Sequence, residues 1–183
     1  RWAGMTITAT PEQTWLIFSG QTEVIDQITG ATPLDTFKIA ALKGIENNPF
    51  LLNSFQLKSW ITINIAFLIG GIYLSYRKII TWHIPVSVLA TLTAFSSLFF
   101  CWDNNHYASP LLHLLSGATM IGAFFIATDP VSAATSLKGR LIYGAGIGAL
   151  LYIIRTWGGY PDAIAFAVLF MNLSAPMIDH LVQ

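Results

Sequence analysis

The chain has 183 residues, with nine Lys and Arg against nine Asp and Glu, so its formal net charge is zero. Only 10% of its residues are charged and 54% are hydrophobic, against about 25% charged in an ordinary soluble domain, and its mean hydropathy is +0.61. This composition excludes a basic nucleic-acid binder and an acidic disordered tail, and it favours a bilayer protein over a soluble monomer.

The single Cys101 permits no internal disulfide and no cysteine metal site. No charged n-region followed by a short apolar run and a cleavage site opens the sequence. Arg1 stands where an initiator Met would, and Gln183 closely follows an apolar run. The expectation is a piece of a longer protein.

Residues 1–58 carry nine charged residues, and the other 125 share the remaining nine. This front segment has one clear helix signal. Thr32-Pro33-Leu34-Asp35 offers a Thr at the N-cap, a Pro at the first helical position and an acid in the first turn. Leu34, Phe37, Ala41 and Ile45 then recur at helical spacing, and Gly44 with Asn47-Asn48-Pro49 ends the pattern. Residues 50–58 alternate loosely and are expected at the membrane interface.

The charge-free windows that follow predict five spans, at about 59–76, 84–101, 110–127, 139–156 and 160–178. Helices are the only plausible elements there, because a bilayer offers no partner for an open backbone. Arg140 and Arg155 are expected to snorkel at the ends of the fourth span, and Asp162 and Asp179 to sit at the ends of the fifth. The expected fold is therefore an all-α integral membrane protein of about five transmembrane helices. An extracytoplasmic segment, 1–58, precedes a helix bundle, 59–183. Short-loop cations set the orientation. Arg77, Lys78, Lys138 and Arg140 fall on one side and Arg155 on the other, which predicts 77–83 and 128–139 cytoplasmic and 1–58 and 102–109 periplasmic.

Four stretches carry candidate chemistry. In Asp26-Gln27-Ile28-Thr29-Gly30-Ala31-Thr32, the residues alone leave two readings open. Thr32 is an ordinary N-cap, or it carries a phosphate ester at a helix N-terminus, where unpaired N–H groups favour an anion. Asp35 weighs slightly against the second. Ser116-Gly117-Ala118-Thr119 lies inside an apolar span. With Gly122 and Ala123 it reads chiefly as a small-residue face for close helix packing, the remaining reading being a ring stacked against that face. Gly144-Ala145-Gly146-Ile147-Gly148 lacks the dinucleotide spacing and also reads as packing. Asp129, before Pro130, is either a solvated helix stop or an ion site. His83, His106, His113 and His180 are too scattered for a ligand set, although His113 can bond a carbonyl on a neighbouring helix. The six Trp and twelve Phe read as core and interfacial belt.

The Asp-x-x-Thr-Gly-Ala-Thr pattern is similar to the motif read by bacterial flavin transferases, which join FMN through its phosphate to the last Thr. Asp26, Thr29, Gly30, Ala31 and Thr32 match it at every defined position. More widely the chain resembles the NqrB/RnfD family, membrane components of the sodium-pumping NADH:quinone reductase and of the Rnf electron-transport complex, and within it the RnfD branch. The stretches that carry the resemblance are 25–38, 113–136 and 155–172. It implies the C-terminal half of a flavin-carrying subunit of a redox-driven pump in the bacterial inner membrane. It also implies covalent FMN at Thr32, non-covalent riboflavin without assigned residues, and other subunits of the complex and a flavin transferase as partners. Electron transfer between ferredoxin-side and NAD-side partners would be coupled to Na⁺ or H⁺ movement. No residue of the chain reads as an acid, base or nucleophile of its own active site. The competing reading is half of a secondary transporter or channel without a redox role.

Overall fold

A computed structural model describes residue 34 and residues 54–182, apart from 104–106 and 159–162. The described elements are all helical. They are α1 (Ser54–Tyr76), α2 (His83–Trp102), the short α3 (Pro110–Leu115) and α4 (Thr119–Ile121), a π-helical turn (Gly122–Ile126), α5 (Leu137–Trp157) and α6 (Ile164–Val182). Four stretches, Ser59–Tyr76, His83–Trp102, Leu137–Trp157 and Ile164–Val182, are long and apolar enough to cross a membrane. The chain is a multi-pass membrane protein, as its composition requires.

The passes alternate in direction. The first end of the bundle gathers the start of α1, the end of α2, the start of α3, the end of α5 and the start of α6. The second end gathers the α1–α2 turn, the exit of the π-helical turn, the start of α5 and the end of α6. The α1–α2 turn is tight. Lys78 adopts a left-handed conformation (φ 57°), and the amides of Lys78 and Ile79 close on the carbonyls of Ser75 and Leu74. This is a Schellman stop with a lysine where glycine is usual.

Small residues bring α5 against its neighbours. A Cβ on Gly144 would lie 2.8 Å from the carbonyl oxygen of Ile84, and one on Gly148 would lie 2.6 Å from that of Val88. The Gly144–Gly148 pair therefore seats α5 on the backbone of α2, which is how small residues drive helix association where lipid removes the hydrophobic incentive. The Ser87 hydroxyl adds a 2.6 Å bond to the Leu141 carbonyl across the same contact. Gly146 faces the other way, against Met171 of α6. The packing reading of Gly144–Gly148 is borne out.

Outside this core the surface is apolar. Ile69, Ile72, Leu169 and Leu173 are more than half exposed, as lipid-facing residues are. Trp82, Trp102 and Trp157, also largely exposed, stand at helix ends where an interfacial belt lies.

The third predicted span, 110–127, is not a continuous helix. α3 stops at Leu115, Gly117 takes a positive φ of 63°, and the chain resumes as α4 and the π-helical turn. The apolar window is long enough for one helix, but Ser116-Gly117 gives the backbone a place to turn that neighbouring side chains hold open.

At the second end, Asp179 of α6 fixes the start of α5. Its carboxylate accepts from the Thr135 amide (2.8 Å) and hydroxyl (2.9 Å) and from the Ser136 amide (3.2 Å) and hydroxyl (2.8 Å). The Ser136 hydroxyl in turn accepts from the Gly139 amide, capping α5. Asp179 does sit at a span end, but as a latch between helices.

Candidate functional site

The break in the third segment leaves main-chain carbonyls and amides unpaired inside the membrane, where each lost partner is costly. Three side chains from different elements satisfy them. Asn64 of α1, 1% exposed, donates to the carbonyls of Trp60 (3.0 Å), Leu115 (3.1 Å) and Gly117 (3.2 Å), and its Oδ1 accepts from the Met120 amide at 3.4 Å. One amide thus bridges both sides of the break. The Thr119 hydroxyl reaches back to the carbonyls of His113 (2.9 Å) and Ser116 (3.1 Å). Arg155 of α5 donates Nη1 to the His113 carbonyl at 2.8 Å. A cation on the carbonyl end of a half-helix is electrostatically favourable.

The far side of the break is also built to shape. Gly71 of α1 receives the ring of Phe124, and Gly122 receives the side chain of Ile164. The π-helical turn closes with the Ala127 amide on the Gly122 carbonyl. Such turns are rare and collect at functional sites.

Several expectations change here. Ser116-Gly117-Ala118-Thr119 is the helix break itself, with Ser116 and Thr119 fully buried; only Gly122 and Ala123 belong to a close-packed surface. Arg155 does not snorkel: it is 2% exposed, because the His113 carbonyl of α3 gives its guanidinium a partner inside the protein. Arg140 is partly buried and donates Nε to the Ala134 carbonyl. His113 is buried, and its carbonyl, not its ring, makes the contacts to Arg155 and Thr119; the ring lies 5.3 Å from that of Tyr152, and its Nδ1 has no hydrogen-bond partner.

Asp129 ends the π-helical segment. Its carboxylate accepts from the Val131 amide (3.4 Å) and the Ser132 hydroxyl (2.9 Å), which fits the helix-stop reading, and it also lines a cavity at the second end. No group of three or more His, Cys, Asp or Glu able to hold a metal occurs among the described residues. The flavin motif residues Asp26, Thr29, Gly30, Ala31 and Thr32, the helix signal around them apart from the helical, buried Leu34, and His106 and Asp162 lie outside the described residues.

Asn64 and the inward Arg155 are the residues that reading the sequence missed. A signal for Asn64 existed: it is the only Asn, Gln or charged residue between 59 and 76, and such a side chain in a span rarely faces lipid. Replacing Asn64 by Leu removes the partner of the Leu115 and Gly117 carbonyls and of the Met120 amide at the break at once. The expected cost is about 2 kcal/mol or more, against the ~0.6 typical of a single interhelical bond in a membrane. Denaturant unfolding of the purified full-length subunit reads it. A control, Ser174→Ala, whose hydroxyl bonds only its own helix at Phe170, should shift far less. Equal shifts would contradict the bridging role.

The sequence, compared with known proteins, matches the family model described as NQR2, RnfD, RnfE family over residues 2–183. Its relatives include subunits of ion-translocating oxidoreductase complexes. It is 49% identical over 183 residues to the one from Aliivibrio salmonicida, covering 92% of this chain and 52% of that protein. It is 51% identical over 177 residues to the one from Alcanivorax borkumensis, covering 93% and 52%. Against that of Marinobacter nauticus it is 54% identical over 168 residues, covering 90% and 47%. The chain spans about half the length of the curated relatives it matches. A bundle of membrane helices around a broken segment, matched along nearly its whole length, belongs to the NQR2, RnfD, RnfE family.

Proposed function

We propose that the chain is the flavin-carrying half of a membrane subunit in a redox-driven, ion-translocating oxidoreductase complex of the bacterial inner membrane. It works there with the other subunits, passing electrons between ferredoxin-side and NAD-side partners as Na⁺ or H⁺ crosses. The observation that carries the reading is the Asp26–Thr32 motif in a chain whose relatives are named as subunits of an ion-translocating oxidoreductase complex.

Bound FMN would supply the redox chemistry. The part of this chain is to attach and hold it. Thr32 Oγ would hold the flavin through a phosphoester, formed as the hydroxyl gives up its proton and a phosphoanhydride bond of a flavin-nucleotide donor breaks, the donor's other phosphate leaving; an N-cap position would present helix N–H groups to the anion. A Thr hydroxyl is a weak nucleophile at neutral pH, and the sequence places no base beside it, so an external flavin transferase performs the attachment. Riboflavin, which the family resemblance implies, is part of the proposal without assigned residues.

The second reading, a transporter or channel half, draws support from the broken third segment, since discontinuous helices mark substrate and ion sites in transporters. The two readings separate on a denaturing gel. The wild-type chain, made with the transferase, should give a band fluorescent under ultraviolet light. Thr32→Ala should abolish it, Asp26→Ala should weaken it, and Thr119→Ala should leave it, because Thr119 is fully buried at the helix break. A band that persists in Thr32→Ala, or no band in the wild type, would overturn the flavin reading.

The proposed orientation puts the first end outside and the second end in the cytoplasm, since Arg77, Lys78, Lys138 and Arg140 collect at the second end. With Cys101 replaced by Ser, a cysteine at the exposed Trp102 should label from outside in intact cells and one at the exposed Val131 should not. The reverse pattern would invert the topology.

Asp129 is proposed as an ion-handling group at the cytoplasmic mouth. Asp129→Asn keeps the size and turn bonding of the side chain, so flavin content should hold while coupled transport falls. Transport at the wild-type rate would reduce Asp129 to a helix stop.

A further inference from the structure

A cavity of about 700 Å³ lies at the second end of the bundle. One side of it is apolar: Leu74 and Ile79 from the end of α1 and the turn after it, Ile84 from α2, Phe124 and Phe125 from the π-helical turn, and Val168 from α6. Two of these lining residues also reach the outer surface. Ile79 is 67% exposed and Phe125 41% exposed. The cavity therefore opens to the outer surface, at the turn through Ile79 and on the apolar flank of the bundle through Phe125.

Its polar end holds Arg140 and Asp129, and three more cations lie in the segments that flank it. Arg140 lines it, held there by the bond from Nε to the Ala134 carbonyl. Arg77 and Lys78 sit in the turn between the lining residues Leu74 and Ile79, and Lys138 precedes Arg140 in the first turn of α5. Of the Lys and Arg beyond residue 58, only Arg155 lies elsewhere. Among the described residues two carboxylates share this end, and both are engaged. Asp179 accepts four bonds from Thr135 and Ser136, and Asp129, which lines the cavity, accepts from Val131 and Ser132.

We propose that this cavity binds an anionic glycerophospholipid, with its phosphate at Arg140 and an acyl chain along Phe125 and Ile126. Charge and shape argue together. An apolar side open on the flank of the bundle admits hydrocarbon, and cations at the level of the headgroups select a negative one. A small anion arriving from water would have no use for the apolar side, and a neutral lipid no use for Arg140 and the cations that flank the cavity. The proposal does not depend on the flavin at Thr32.

The experiment uses the complete complex in lipid nanodiscs doped with a phosphatidylglycerol that carries a photoactivatable acyl chain. Mass spectrometry then maps the adducts. The expected result is labelling of the peptides that contain Ile79–Ile84 and Phe124–Ile126, stronger than with the matching phosphatidylcholine probe. Arg140→Gln should lower it about fivefold, the weight of one cation at a lipid surface; Arg140→Lys should keep most of it, and added inorganic phosphate should not compete. Equal labelling by the two probes would show only the general lipid layer and overturn the proposal. So would undiminished labelling in Arg140→Gln, competition by phosphate, which marks a free-anion site, or no label at these peptides, which means that another protein segment fills the cavity. If Arg140→Gln does not assemble, the two probes on the wild-type complex decide.

Discussion

The structure turns on one constraint: inside a bilayer every backbone N–H and C=O needs a partner within the protein. The four long helices meet it almost entirely within themselves, with one gap where Pro176 of α6 has no N–H to donate. The third segment does not, because it breaks at Ser116-Gly117-Ala118, and the rest of the bundle is arranged to make up the difference. Asn64 comes from α1, Arg155 from the last turn of α5, and Thr119 from the segment itself. The break is therefore maintained by three elements at once, and it ties α1 and α5 to the same short stretch of chain.

Close packing makes that geometry reachable. α5 rests on the α2 backbone through Gly144 and Gly148, which holds Arg155 at the level of the His113 carbonyl. Gly71 and Gly122 let Phe124 and Ile164 fill the space beyond the break. At the opposite end the Asp179 latch fixes where α5 begins. The two ends thus differ in kind: a buried guanidinium and an aromatic group around Tyr152 and Phe99 at one, and a cation-rimmed cavity at the other.

Much of this was legible in the residues. Charge-free windows placed the four long helices to within a few residues, and the Gly-rich run of α5 was readable as a packing surface. The broken segment was not, because hydropathy counts side chains and cannot see a backbone turn that a distant asparagine stabilises. Arg155 was misread for a related reason. An arginine at the end of a span looks like a snorkelling cation until a half-helix with open carbonyls is placed beside it. Asp179 was legible as a span end but not as a latch, since nothing in the sequence links it to Thr135 and Ser136, more than forty residues away. The flavin motif was legible as a pattern of residue types, Asp26 through Thr32, and rests on that pattern and on the family.

On the proposed function, a flavin on this chain would lie on the electron path that drives ion movement. The most direct measurement is ion uptake into proteoliposomes holding the complete complex, driven by an electron donor, with flavin reduction followed in the same sample. Thr32→Ala is predicted to lose electron transfer and uptake together, while Thr32→Ser, which keeps the hydroxyl, retains both. Uptake at the wild-type rate in an assembled Thr32→Ala complex would contradict the claim.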